Sequence, residues 1–311
     1  LGKVKNKDNY GYLFLVPFFT VFILLQLYPI IYTFYLSFTD LSTSSPGGDW
    51  VGWANYARLF SDKFFLKSIV NTWRIWIVNF IPQLIFAVML AAILTRAKIR
   101  GASVFRGVYF LPNLVTAASV GILFNVLLGW QSGAINQILV ALGIIGEADK
   151  IHFLASGAWT STSVSVILWW MWFGHSMILF MAAMVAVPQE YYDAAAVDGA
   201  GAWQSFWKIT IPLIRPIMIY VLITSLIGGL NNFDIPFVMG EGQNLGTGGP
   251  EKSILTMVMH MYNLAFTAGR QRGYAAAIAV TLFIMVLIFS LIIFKLMTRS
   301  ERLTGKAVPR S

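Results

Sequence analysis

The chain has no cysteine, three histidines and little charge, and each scarcity closes off a class of function. Without cysteine there are no disulfides and no thiolate metal sites, and His152, His175 and His260 are too scattered to form a ligand cluster. Phosphate-binding chemistry is missing too: Gly246 to Ser253 reads GTGGPEKS, with Glu251 where a phosphate loop needs glycine before lysine, so this stretch is an ordinary loop. Neither H-E-x-x-H nor G-x-S-x-G occurs, and no catalytic centre or cofactor site is expected in this chain. What is abundant is apolar surface. Of 311 residues, 58% are hydrophobic and 11% charged, more than one soluble core can hide, so the chain reads as an all-α membrane protein. Its net charge of +9 would suggest nucleic acid in a soluble domain. Here the basic residues flank apolar segments, which makes anionic lipid headgroups the expected neighbours and leaves nucleic acid out.

Six apolar segments are expected to span the membrane, at about 12–38, 69–95, 104–130, 161–187, 216–239 and 274–297, within a single domain over 1–311. The first is too long for a cleaved leader and lacks a small-residue cleavage site. Pro82 and Pro112 are expected to kink segments two and three. Orientation follows from lysine and arginine. With the N-terminus inside, the cytoplasm receives Lys3, Lys5, Lys7, Arg96, Lys98, Arg100, Arg106, Lys208, Arg215, Lys295, Arg299, Arg302, Lys306 and Arg310. The outside receives Arg58, Lys63, Lys67, Arg74, Lys150, Lys252, Arg270 and Arg272. Positive charge therefore places both termini and the loop over 188–215 in the cytoplasm.

That loop, PQEYYDAAAVDGAGAWQSFWKITIPLIRP from Pro188 to Pro216, carries a dense polar run, Gln189 to Asp193, between two apolar segments. Pro188 ends one apolar helix and Gln189 begins another, with Glu190 and Asp193 in the first turn, where the helix dipole favours acids. Tyr191, Ala194, Ala195 and Asp198 share a face whose small side chains let another protein approach closely. Gly199 and Gly201 suit a left-handed helix end and turn. Trp203, Phe206 and Trp207 then form an apolar stripe fit to lie along the bilayer surface.

Asp193-Ala194-Ala195, Gly199, Ile209 and Pro212 resemble the E-A-A, G, I and L-P pattern of the cytoplasmic coupling loop in bacterial ABC importer permeases, with Asp for Glu and Ile211 for Leu. Asp198-Gly199-Ala200-Gly201 and Lys208-Ile209-Thr210-Ile211-Pro212-Leu213 resemble the MalF-type subunit of the carbohydrate-uptake branch. Outer-loop marks agree: Asn55-Tyr56 within VGWANYARLF, Gly133 with Asn136, and Gly248-Gly249-Pro250 with Gly273-Tyr274-Ala275. The resemblance implies the six-span MetI-like permease fold with a coupling helix, in a bacterial plasma membrane. It also implies four kinds of partner: a second, MalG-like permease, two cytoplasmic ATPases that hold ATP and Mg, an extracytoplasmic solute-binding protein, and a sugar, expected to be an oligosaccharide. Glu190, Asp193, Ala194, Ala195, Asp198, Gly199, Ile209 and Pro212 are the expected ATPase-coupling residues. Glycerol phosphate or another small polar solute is the alternative substrate, for which a cationic cavity would be expected. A secondary carrier would show buried ionisable pairs and an internal repeat, which are not evident.

Substrate contacts are sought among polar residues deep in segments four and five, because hydrocarbon tolerates them only beside a cavity or a partner helix. Counted from Pro188 and Pro216, Trp172, His175 and Asn232 lie at about one depth, 20–24 Å from the cytoplasmic boundary. Ser225 and Asn231 complete the set, with Ser225 expected to share a lumen face with Asn232. Aromatic faces stack on sugar C–H surfaces, while amides, hydroxyls and imidazole answer sugar hydroxyls. Packing between helices is the alternative role for all five.

Overall fold

The computed structural model describes residues 9–96, 101–239, 246–267 and 270–304, and among these every regular element is helical. The basic residues Lys3, Lys5, Lys7, Lys98, Arg100, Lys306 and Arg310 lie outside the described residues. In chain order the helices are α1 (Asn9–Phe22), α2 (Tyr28–Leu36), α3 (Ala54–Leu59), α4 (Lys63–Arg96), α5 (Ala102–Leu114), α6 (Ala117–Leu127) and α7 (Ala134–Ala141). There follow α8 (Gly157–Val185), α9 (Glu190–Val197), α10 (Ala202–Ser205), α11 (Ile211–Leu213), α12 (Arg215–Leu230), α13 (Asp234–Val238), α14 (Met257–Tyr262) and α15 (Arg272–Thr304). Five stretches are long and apolar enough to cross a membrane, at Phe14–Leu36, Lys63–Thr95, Gly157–Val185, Arg215–Val238 and Arg272–Thr298, and the α5–α6 pair meets the same measure when its two bent helices are taken together.

Two segments differ from the expected rods. Segment three is two helices bent by 93°, and the break falls at Val115 and Thr116, three residues beyond Pro112. Both are β-branched and extended, and Thr116 caps α6 by accepting from the Ser119 N–H at 3.3 Å. Pro82, by contrast, sits inside an unbroken α4. Segment five stops at Leu230, is irregular through Asn231 to Phe233, and resumes as α13. Gly228 and Gly229 weaken the helix there, and Pro236 has no N–H to return to the Asn232 carbonyl.

The chain forms two compact units, residues 1–63 with 261–283 and residues 64–260 with 284–311. In the first, α1 and α2 join through a π turn at Ile23–Leu27 ahead of Pro29, the wider turn absorbing the carbonyl that the proline ring would crowd. The central window of this rod buries nothing against its own chain, as suits a helix whose apolar neighbours are lipid or another subunit. Its C-terminal end is clasped by Asn55, which donates to the carbonyls of Ser37 (2.9 Å) and Thr39 (2.7 Å). Gly273 presses so closely on the same turn that a Cβ there would collide with the Thr39 carbonyl. The Tyr274 hydroxyl donates to Asp62 (2.8 Å), and the Arg58 guanidinium lies 4.0 Å above the Tyr274 ring.

In the second unit, α4 and α8 enclose two apolar clusters, one around Ile75, Ile167 and Ile235, the other around Ala87, Met177, Phe180 and Ile214. Glycines set the close approaches. A Cβ on Gly174 would strike the Tyr109 carbonyl of α5, and one on Gly121 of α6 would strike Val238 of α13. The broken helices α6 and α13 thus pack on each other. Asn136 is fully buried and ties the connection between α6 and α8, donating to the carbonyls of Trp130 (3.1 Å) and Ile151 (3.0 Å) and accepting from the Ile151 N–H (3.0 Å). Asn55 and Asn136, marked in the sequence, are therefore structural clasps.

Gly174→Ala drives a methyl into backbone that no rotamer change can move, and should cost about 1–3 kcal/mol. Gly107→Ala, whose Cβ meets nothing within 4 Å, is the matched control. Thermal unfolding in mild detergent should show a lower midpoint for the first and no loss for the second.

Candidate functional site

The second unit encloses a cavity of about 230 Å³ between α4, α8 and α12. All five residues expected from the sequence line it: Trp172, His175, Ser225, Asn231 and Asn232. The Trp172 and His175 rings stand edge to face, 6.0 Å between centroids, and His175 also stacks on Phe110 at 6.4 Å. Trp172 is 43% exposed, leaving an aromatic surface open to the cavity. Asn231 turns back to the Ile227 carbonyl (2.8 Å), closing the end of α12, while Asn232 lies beyond the helix. Ser225 and Asn232 thus share the cavity through the break in the chain, whereas the sequence spacing had suggested a continuous helical face.

Residues of α4 were missed by reading only segments four and five. Asn79 and Gln83, one turn apart, line the same cavity, with Ser176, Thr224 and Asp234. Gln83 donates to the Ser176 hydroxyl at 2.8 Å with both side chains buried. Trp76 donates to Ser225 at 3.3 Å, and its ring fills the space where Gly229 has no side chain. The signal was available: two amides inside an apolar run are as costly in lipid as those of segment five. Among the described lining residues the charge is the Asp234 carboxylate, and no lysine or arginine faces the cavity.

Hydrogen bonds to α4 place the lining residues along that helix. Thr72 accepts from the Met257 N–H, and the adjoining Thr256 hydroxyl donates to the Asn232 carbonyl, so Asn232 lies at the Thr72 level. Gln83 contacts Ser176, the neighbour of His175. From Thr72 to Gln83 is eleven residues of helix, about 16 Å. His175 and Asn232 are therefore staggered and do not share one depth. Counting from the two prolines assumed a continuous helix, whereas α12 ends at Leu230, two residues before Asn232.

A second candidate site is the elbow over 188–215. Glu190, Asp193, Ala194, Asp198 and Gly199 are exposed; Ala195 and Ile209 are half-buried; Pro212 is exposed at the start of α11. Gln189 donates to Asp193 at 3.0 Å. The helix ends as a Schellman turn: the Gly199 N–H reaches the Ala196 carbonyl (3.1 Å) and the Ala200 N–H the Ala195 carbonyl (2.8 Å), with Gly199 at φ 78°. Gly201 is not left-handed. Its φ of −72° and ψ of 168° are extended, as the residue preceding α10 requires. Tyr192 pins the elbow together through its hydroxyl and that of Thr210, 3.0 Å apart. That contact leaves Tyr191 and Val197 outward, at 53% and 88% exposure. Trp203 and Trp207 are exposed as well, while Phe206 packs on the inner core.

Apolar spans that line a cavity with amides and hydroxyls in its wall, together with an exposed helical elbow on one connection, are the features of a membrane transport subunit. Residues 57–302 match the family of binding-protein-dependent transport system inner membrane components, and the chain belongs to it. It is 33% identical to the lactose transport system permease protein LacF of Rhizobium radiobacter, over 92% of this chain and 93% of that one. It is 32% identical to the arabinooligosaccharides transport system permease protein AraP of Bacillus subtilis, over 94% and 89%, and 32% identical to the diacetylchitobiose uptake system permease protein NgcF of Streptomyces coelicolor, over 92% and 80%. A crystal structure of a bacterial ABC transporter that imports the acidic polysaccharide alginate superposes with TM-score 0.79 at 21% identity, covering 94% of this chain and 96% of that one. The fold is that of an ABC importer permease.

Tyr192→Phe removes the hydroxyl contact that closes the elbow, worth about 1 kcal/mol. Amide hydrogen exchange across α9 should accelerate about fivefold, with α8 unchanged.

Proposed function

We propose that the chain is the MalF-like half of an ATP-driven importer for a neutral oligosaccharide, with Trp172, His175, Ser225, Asn231 and Asn232 contacting the sugar. The observation that carries this reading is the chemistry of the cavity wall: an open indole and an imidazole beside amides and hydroxyls, with one carboxylate and no facing cation among the described residues. Sugar rings stack on aromatic faces and exchange hydrogen bonds with amides. Glycerol phosphate or an acidic polysaccharide would need cations to replace its lost hydration, and Asp234 would repel either one. Relatives named for lactose, arabino-oligosaccharide and diacetylchitobiose transport point the same way.

In this reading the chain does no chemistry of its own. A second, MalG-like permease completes the pathway, two cytoplasmic ATPases carry ATP and Mg, and an extracytoplasmic binding protein delivers the sugar. Both termini and the elbow face the cytoplasm, where Glu190, Asp193, Ala194, Ala195, Asp198 and Gly199 meet an ATPase, and Ile209 and Pro212 hold the return segment. The Tyr192 contact makes the elbow one lever, so that closure of the ATPases tilts the spans attached to it.

Three experiments test this. The tagged chain, purified in mild detergent, should bring down a second permease and an ATPase. With binding protein added, its ATP hydrolysis should be stimulated by one of lactose, arabinobiose, maltose, trehalose or diacetylchitobiose, whereas stimulation by glycerol phosphate alone overturns the sugar reading. Asn232→Ala and His175→Ala should assemble normally yet lose sugar uptake or selectivity. Gly199→Val places a β-branched residue at positive φ, about 1–2 kcal/mol of strain at the lever's turn. It should abolish uptake while all subunits remain inserted, and wild-type uptake would remove the turn from the coupling mechanism.

A further inference from the structure

We propose that Asn79, on α4, is a specificity-determining residue for the carried sugar, and that the cavity takes a chain of at least two sugar residues. This rests on the sugar reading above. Asn79 is 5% exposed, and its Oδ1 has no hydrogen-bond partner. The next amide on the same face, Gln83, donates to Ser176 and is committed there. Toward the far end of the cavity the Nδ2 of Asn232 is likewise buried and unpaired. A buried amide without a partner is costly, and these two line one cavity.

The two unpaired atoms are opposite in kind, an acceptor on α4 and a donor beyond α12. A hydroxyl both donates and accepts, so a polyol chain answers both. A carboxylate or phosphate, which only accepts, answers Asn232 alone, and an ammonium group answers Asn79 alone. Separation decides the length of the ligand. Asn232 lies at the Thr72 level, and Asn79 is seven residues further along α4, about 10 Å. One hydroxyl cannot reach both amides, but hydroxyls on successive rings can. Between the two levels the lining residues Ser225 and Gly229 are backed by Trp76, which donates to the Ser225 hydroxyl and packs on Gly229.

The test compares wild type, Asn79→Ala and Asn79→Leu in the assembled transporter, in nanodiscs with saturating binding protein, so that the permease and not the binding protein sets the rate. Probes are lactose, maltose, trehalose, arabinobiose and diacetylchitobiose, their monodeoxy analogues, and glucose and galactose. For the disaccharide that wild type carries, both variants should lower the maximal rate about tenfold. One monodeoxy analogue should show the same loss in wild type and no further loss in the variants. Assembly and thermal midpoint should match wild type. Unchanged disaccharide rates in both variants, loss of assembly in both, or faster wild-type transport of the monosaccharides overturns the proposal. Sugar uptake that ignores Asn79 strikes this proposal alone, whereas a wild type that carries no sugar of the panel strikes the substrate reading beneath it.

Discussion

Hydrocarbon offers no hydrogen bonds, and that constraint orders the whole molecule. A helix satisfies its own backbone, so α4, α8 and α15 run long, whereas each interruption must be covered by protein or open onto a cavity. Both interruptions obey this rule. The turn between α5 and α6 is capped by Thr116, the irregular stretch at Asn231 to Phe233 borders the cavity, and the short helices beyond the two breaks pack together where Gly121 admits Val238. Side-chain amides follow the same logic. Asn55, Asn71 and Asn136 spend their N–H groups on loop carbonyls, while Asn79 and Asn232, which line the cavity, each keep a buried unpaired atom.

The elbow faces the opposite problem, because it stays uncovered and yet holds one shape. Its rigidity is local. The Schellman turn at Gly199 spends the last carbonyls of α9, Gln189 engages Asp193 at the first turn, and the Tyr192–Thr210 contact closes the two arms. A π turn at Phe206–Thr210 ahead of Pro212 carries the chain back toward the bilayer, the same device that precedes Pro29 in the first span. In both places a proline that cannot accept a tight helical turn behind it is accommodated by widening that turn.

Much of this was legible from residues alone. The helix after Pro188 and the left-handed turn at Gly199 follow from acid placement and glycine chemistry, which act over a few neighbouring residues. The polar residues of segments four and five could be marked as cavity candidates because their cost in lipid does not depend on the fold. The same cost applied to Asn79 and Gln83, but a long apolar run around them masks two amides when attention is on the loop's flanks. Gly201 was misjudged because a glycine is equally content in the extended conformation it adopts before α10.

Composition and local pattern by themselves determined that this chain lives in a membrane, roughly where its apolar segments run, and that its one polar elbow is a helix, a left-handed turn and a second helix. These depend on side-chain transfer into hydrocarbon and on short-range backbone preferences, which are properties of residues. Only the tertiary structure decided where segments three and five break, that α4 joins α8 and α12 around one cavity, and that His175 and Asn232 stand at different levels of it. Those outcomes turn on which glycine meets which neighbour, Gly174 against Tyr109, Gly121 against Val238 and Gly229 against Trp76. Such close approaches exist only once distant helices are packed, and no spacing along the chain encodes them.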